Sequence, residues 1–205
     1  MRLLRTGLAA AGLLAATVAL ADTPPASHPG PNNIRGKVVS LSADQLVVKP
    51  THGPRVTIKL SPDWAVVVMK PVDVSTIQPG SFIGTTEFEK PDGTGRSLEV
   101  HVFPPGVKIG EGHYPWDLKP GSMMTNGTVG QVIEGPKGRM LEVAYPGATR
   151  HILVPPNVPV VATAPGARTL MTPGVSVFIL PGKTPDGAVA ANRVLVGVNG
   201  APPPM

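Results

Sequence analysis

Four side chains in one short stretch have the chemistry of a metal site: Glu111, His113, Met123 and Met124. Imidazole suits copper and a thioether selects Cu(I). With no cysteine anywhere in the chain, thiolate ligands, disulfides and a catalytic thiol are all excluded. Asp117 stands close enough in sequence to join such a set, although the spacing matches no established ligand motif. The same stretch, residues 110–127, also holds Tyr114 and Trp116, one of two tyrosines and one of two tryptophans. A second reading follows from them, in which the aromatics pack as a clasp between two small domains and the Met pair fills the gaps. Tyr114, Trp116 and Asp117 are then the contact surface for a partner or ligand. At the level of sequence both readings stand, with no cofactor other than copper suggested.

Elsewhere the reactive residues are scattered. Glu99 and His101 alternate with Leu98, Val100 and Val102, which predicts an apolar inner face and a solvated outer pair. His28 lies in a Pro-rich leader, His52 beside Gly53-Pro54 in a turn, and His151 at the start of a strand. No G-x-S-x-G elbow, Ser-x-x-Lys or His-Glu-x-x-His is present, and Glu87/Glu89 share one strand face without a partner carboxylate opposite. Gly182-Lys183-Thr184 lacks the upstream glycine of a P-loop. These gaps predict a protein that is not an enzyme. Aromatics are 4% of the chain and are not interleaved with basic residues, so nucleic acid is not an expected partner. A sugar stacked on Trp116 or Trp64 is a further alternative, although Trp64 opens an apolar run and is expected in a core.

The N-terminus supplies the compartment. Arg2 and Arg5 precede an apolar run over residues 8–20, and Ala19-Leu20-Ala21 offers a small-residue cleavage site. Residues 1–21 therefore read as a signal peptide and the mature protein as periplasmic or secreted. No later run reaches the ~18 apolar residues of a membrane span, so none is expected after cleavage. The formal net charge is +5, of which Arg2 and Arg5 belong to the signal. That mild charge is no nucleic-acid footprint.

The elements that would position these residues are short strands. Gly and Pro, 24 and 26 of the 205 residues, punctuate Val/Ile/Leu-rich runs at 34–41, 45–49, 55–60, 64–69, 81–86 and 97–103. Helical periodicity is confined to the signal, apart from single turns predicted at 73–77 and 188–193. The grammar then recurs: Gly36-Lys37-Val38 as Gly127-Thr128-Val129, Pro62 as Pro156, Pro79-Gly80 as Pro173-Gly174, and Pro91-Asp92-Gly93 as Pro185-Asp186-Gly187. The last three share one offset of 94 residues, which predicts an internal duplication. Small closed barrels solve the edge problem of so few strands.

This order of strands and turns resembles exported bacterial OB-like β-barrel domains of unknown function that occur in tandem. The resemblance covers residues 34–103 and 127–198 and implies a fold without implying catalytic residues. The expected organisation is an all-β chain: signal peptide 1–21, disordered leader 22–33, first barrel 34–103, linker 104–126, second barrel 127–198 and tail 199–205. The expected function is a non-enzymatic binding or structural module of the cell envelope, its partner an envelope protein or a small ligand. The alternatives are a periplasmic copper-type metal protein, or the soluble accessory of a metal transport system, and an oligosaccharide-binding domain.

Overall fold

The structure, a computed structural model, describes residues 33–198 and 201–205. The expected signal peptide and, Asn33 apart, the leader lie outside the described residues. The described chain is all-β. Its strands are β1 (Ile34–Leu41), β2 (Gln45–Pro50), β3 (Val56–Pro71), β4 (Phe82–Glu89), β5 (Gly95–Val102), β6 (Gly112–Pro115), β7 (Met123–Gly135), β8 (Gly138–Tyr145), β9 (Ala148–Val154), β10 (Val160–Gly166), β11 (Ser176–Ile179), β12 (Gly182–Lys183) and β13 (Val189–Gly197). Helix is limited to 3-10 turns, of which Val74–Thr76 and Arg168–Leu170 lie 94 residues apart. Asp73 caps the first by accepting from the Ser75 amide at 2.8 Å, as its position before the turn predicts. No helix among the described residues is long and apolar enough to cross a membrane.

Hydrogen bonding closes the strands into two rings. In ring one the order is β11-β1-β2-β3-β13 and back to β11, with β3 and β13 parallel and the other neighbours antiparallel. In ring two it is β4-β7-β8-β9-β5 and back to β4, closed by the short parallel pairing of Gly95 and Arg96 with Ile152 and Leu153. The sequence suggests units at 34–103 and 127–198, but the rings cross that division. Each ring takes three strands from one half of the chain and two from the other.

The crossing comes from β3. A turn was expected near Pro62, yet β3 runs through it for 16 residues. Pro62 falls where no ladder partner is required: pairing to β2 reaches Lys59, and pairing to β13 passes from Leu60 to Ala65. In the C-terminal half the consecutive Pro155 and Pro156 do break the strand, and β9 and β10 share its work. The second half of β3 and β10 then pair antiparallel, Met69 opposite Thr163, residues 94 apart in the chain. Each third strand thus delivers the chain to the far ring, where its last two strands pair. Gly80 and Gly174, with φ of 87° and 91°, complete the two transfers. Their amides donate to Val129 and Val38 at 2.7 and 2.8 Å.

Three apolar clusters result. Leu46, Ile58, Trp64, Val177 and Val194 are among the fill of ring one, and Ile83, Val100, Leu141, Val143 and Ile152 among that of ring two. Between them Met69, Tyr114, Trp116, Met124, Val161, Phe178, Leu195 and Met205 form the third. Residues 188–193, expected as a helical turn, lie largely in β13, because Ala190 and Ala191 pair with Lys59 and Leu60. Met205, in the expected tail, packs in the third cluster and its carbonyl accepts from Arg35 Nε at 2.6 Å.

Neither ring is complete without strands from the other half, so the two should melt together. Leu46→Ala and Leu141→Ala, each at a position with 0% exposure, should cost about 2–5 kcal/mol apiece. Each should shift one common calorimetric transition. Two separating peaks would mean that the rings fold independently.

Candidate functional site

The linker residues singled out in the sequence divide between two faces. β6 pairs antiparallel with the start of β7, setting His113 opposite Thr125, Tyr114 opposite Met124 and Pro115 opposite Met123. Side chains alternate along a strand, so Met123 lies on the side of His113 while Met124 points the other way. Met124 is 1% exposed and packs with Tyr114 and Trp116. The four side chains proposed as copper ligands therefore do not converge. Glu111 is half-buried just before β6. Among the described residues no group of three or more His, Asp or Glu is arranged to hold a metal ion.

On the His113 side is a polar cluster at one end of ring two. Thr125 Oγ1 donates to Glu87 Oε1 at 2.7 Å and so accepts from His113 Nδ1 at 2.8 Å. Arg150 Nε also donates to Glu87 Oε1. Burial raises the Glu87 pKa above 4.5, although Thr125 and Arg150 oppose it. Burial, with the Arg150 cation, lowers the His113 pKa below 6.5. His113 thus serves Glu87 and stacks on Tyr145, with ring centroids 6.3 Å apart.

Asp117 ties the linker to ring one. It accepts from Arg35 at 2.8 Å and from the Asn33 side chain and amide at 2.8 and 3.1 Å. The Arg35 guanidinium also lies 5.0 Å from the centre of the Phe178 ring. Tyr114 and Trp116 are each 7% exposed, and Trp116 meets Phe178 at 6.1 Å. Trp64 is 3% exposed inside ring one, so its indole presents no open face to a sugar.

Tyr114, Trp116 and Met124 also line a cavity of about 460 Å³ between the rings. Its other walls come from β3, β10 and β13, from the loop after β5, and from His101 and Asn126. Here the outer face predicted for Glu99 and His101 is overturned: they are 0% and 2% exposed. Ring two covers one face of β5, and elements distant in sequence cover the other.

The pair is firmly held. Glu99 Oε1 accepts from the Thr86 amide at 2.8 Å and the Thr86 hydroxyl at 2.7 Å, and Oε2 lies 3.1 Å from His101 Nδ1. A carboxylate so placed keeps a proton on Nδ1 and aims Nε2 away from itself. Nε2 lies over Gly84: a Cβ there would stand 2.0 Å from Nε2 and 2.2 Å from Asn126 Oδ1. Any side chain at Gly84 would displace both. The residue 94 positions later is Phe178, whose ring packs in the third apolar cluster.

Asn126 is fixed as well. Its Nδ2 donates to the Gly110 carbonyl at 2.9 Å and to the Tyr114 hydroxyl at 2.7 Å. A carbonyl only accepts, so the amide cannot be turned around. Its Oδ1 is buried without a hydrogen-bond partner, as is the indole Nε1 of Trp116. Such orphans cost about 1–3 kcal/mol each. Burial pushes the Tyr114 pKa up to about 12, so the phenol stays protonated across the physiological range.

The geometry is thus a mainly apolar cavity whose lining includes His101, Asn126, Trp116 and the Arg193 side chain, with the Asn126 amide oxygen and the Trp116 indole N–H buried behind its surface. Sequence reading found Tyr114, Trp116 and Met124, set Glu99 and His101 on a solvated face and passed over Gly84 and Asn126. The contrast of Gly84 with Phe178 at the common offset was the available signal. Compared with known proteins, the chain matches no family model, no curated protein and no solved structure.

Burial opposes ionisation of Asp117, but the hydrogen bonds from Arg35 and Asn33 outweigh it and lower its pKa below 3.8. That stabilisation is present above the unfolded value and is lost as the pH falls through the folded one. The melting-temperature gap between wild type and Asp117→Asn should therefore hold from pH 7 to about 5 and narrow in acid. A gap independent of pH would show that the carboxylate charge does not hold the linker.

Proposed function

We propose that this protein is an exported, non-enzymatic binding module of the cell envelope whose ligand is a small, mainly apolar molecule held between two OB-like barrels. On this reading the halves arose by duplication and have exchanged their last two strands. The common offset of the turns and 3-10 segments supports the duplication. The closed five-strand order of each ring supports the OB-like description. Export rests on the signal-like residues 1–21.

The observation that carries the reading is the inter-ring cavity of about 460 Å³, in the range of small-molecule sites, with apolar walls and a few fixed polar groups. The linker's two readings merge here, because Tyr114 and Trp116 pack the rings together and wall the cavity. The copper alternative loses support, since strand alternation parts Met124 from His113.

An environment-sensitive apolar dye, N-phenyl-1-naphthylamine, should bind the full-length chain saturably at one site. Thr163→Trp adds bulk to a half-buried position of the wall. It should abolish the dye signal while circular dichroism shows the fold retained. No saturable binding, or binding indifferent to Thr163→Trp in the folded variant, would refute the cavity as the site.

A further inference from the structure

Resting on that reading, we infer that the ligand is an apolar molecule ending in a carboxylate, with its body in the cavity and its head on Arg193 at the rim. Strand alternation puts Arg193 there. Val194 and Val196 point into ring one, so Leu195, and Arg193 two residues before it, face the layer between the rings. Parallel pairing sets Arg193 beside Ala65 and Leu195 beside Val67, whose neighbour on β10 is Pro165. All five residues line the cavity. Leu195 is buried, whereas Arg193, Ala65 and Pro165 are exposed. One side of the cavity is therefore open to solvent, with Arg193 on its rim.

Arg193 is free to take a partner. Arg35, Arg139, Arg150 and Arg168 are each bonded to carboxylates or carbonyls within the fold. Among the described residues the side chains of Arg55, Arg96 and Arg193 have no hydrogen-bond or ion-pair partner, and of these only Arg193 lines the cavity. A guanidinium stays charged in proteins and offers a planar fork of N–H donors that matches a carboxylate. No aspartate or glutamate stands in the described lining to neutralise it, and Met205, also in the lining, gives its carbonyl to Arg35 instead. The other basic groups nearby are engaged. His101 is 2% exposed and turns Nδ1 to Glu99, and Lys108 lies over the Phe82 ring at 5.9 Å. A neutral head makes no use of the Arg193 charge, and an ammonium head is repelled by it. Val66, Val67, Leu180 and Leu195 suit a hydrocarbon body.

A matched series separates this inference from the cavity reading beneath it. The probes are octanoate, 1-octanol and octylammonium, titrated into the full-length chain in low salt by ligand-observed NMR. The alcohol loses the least hydration on entering an apolar cavity, so a preference for the carboxylate has to come from a cation. Octanoate should bind about three- to tenfold more tightly than octanol, as a charge-assisted pair at a partly open site allows, and octylammonium more weakly than either. Arg193→Gln should bring octanoate down to the octanol level or below and leave octanol unchanged. Added salt should narrow the octanoate advantage in the wild-type chain, a readout that needs no variant to fold. Octanol binding as tightly as octanoate to wild type would overturn the carboxylate assignment and leave the cavity reading intact. An octanoate preference that survives Arg193→Gln in a folded variant, or that salt does not touch, would overturn Arg193 as its partner. Binding of none of the three would remove the cavity reading and this inference together.

Discussion

The arrangement of the molecule depends on one antiparallel crossing, in which the second half of β3 lies against β10 with Met69 opposite Thr163. Closed rings leave few strand edges, and two independent rings would have been the local solution. Here the third strand of each half does not turn back. It runs past its own ring and hands the following strands to the other. The pairing at the crossing holds the rings together, and the third apolar cluster is built around it from Met69, Val161, Phe178 and Leu195. The cavity opens in the same layer because that layer is assembled from both halves and fills unevenly.

Uneven filling is where the chemistry enters. At positions sharing the common offset, Phe178 stands for Gly84, Leu195 for His101 and Arg193 for Glu99. One side of the layer is thus packed with an aromatic ring and an aliphatic side chain. On the other side Gly84 leaves room that an imidazole and an amide fill. The linker adds what neither half has, since β6 brings Tyr114 against Met124 and positions the hydroxyl that fixes Asn126. Asp117 then anchors the segment through Arg35 and Asn33. The residues that pack the two halves together also wall the cavity.

Much of the framework was legible in the sequence, because short strands and tight turns are local. Alternation marked the strands, and Asp73 marked the 3-10 turn it caps. What eluded reading was non-local. Pro62 looked like a turn, since sequence does not reveal that the ladder skips its position. Strand partners are equally hidden: the pattern of β4 and β5 would suit either ring. Glu99 and His101 read as a solvated face because period two shows which residues share a side, not whether something covers it. Met123-Met124 read as paired donors, although adjacent strand residues face apart.

Strand exchange is most directly tested by cross-linking, which the cysteine-free chain permits without background. Lys37 pairs with Ser176, whereas a ring closed within the N-terminal half would set Lys37 against Phe82, 94 residues earlier than Ser176. Under mild oxidation, the double variant Lys37→Cys/Ser176→Cys should form an intramolecular disulfide in the monomer, and Lys37→Cys/Phe82→Cys should not. The reverse pattern, or a cross-link found only between two chains, would contradict the account.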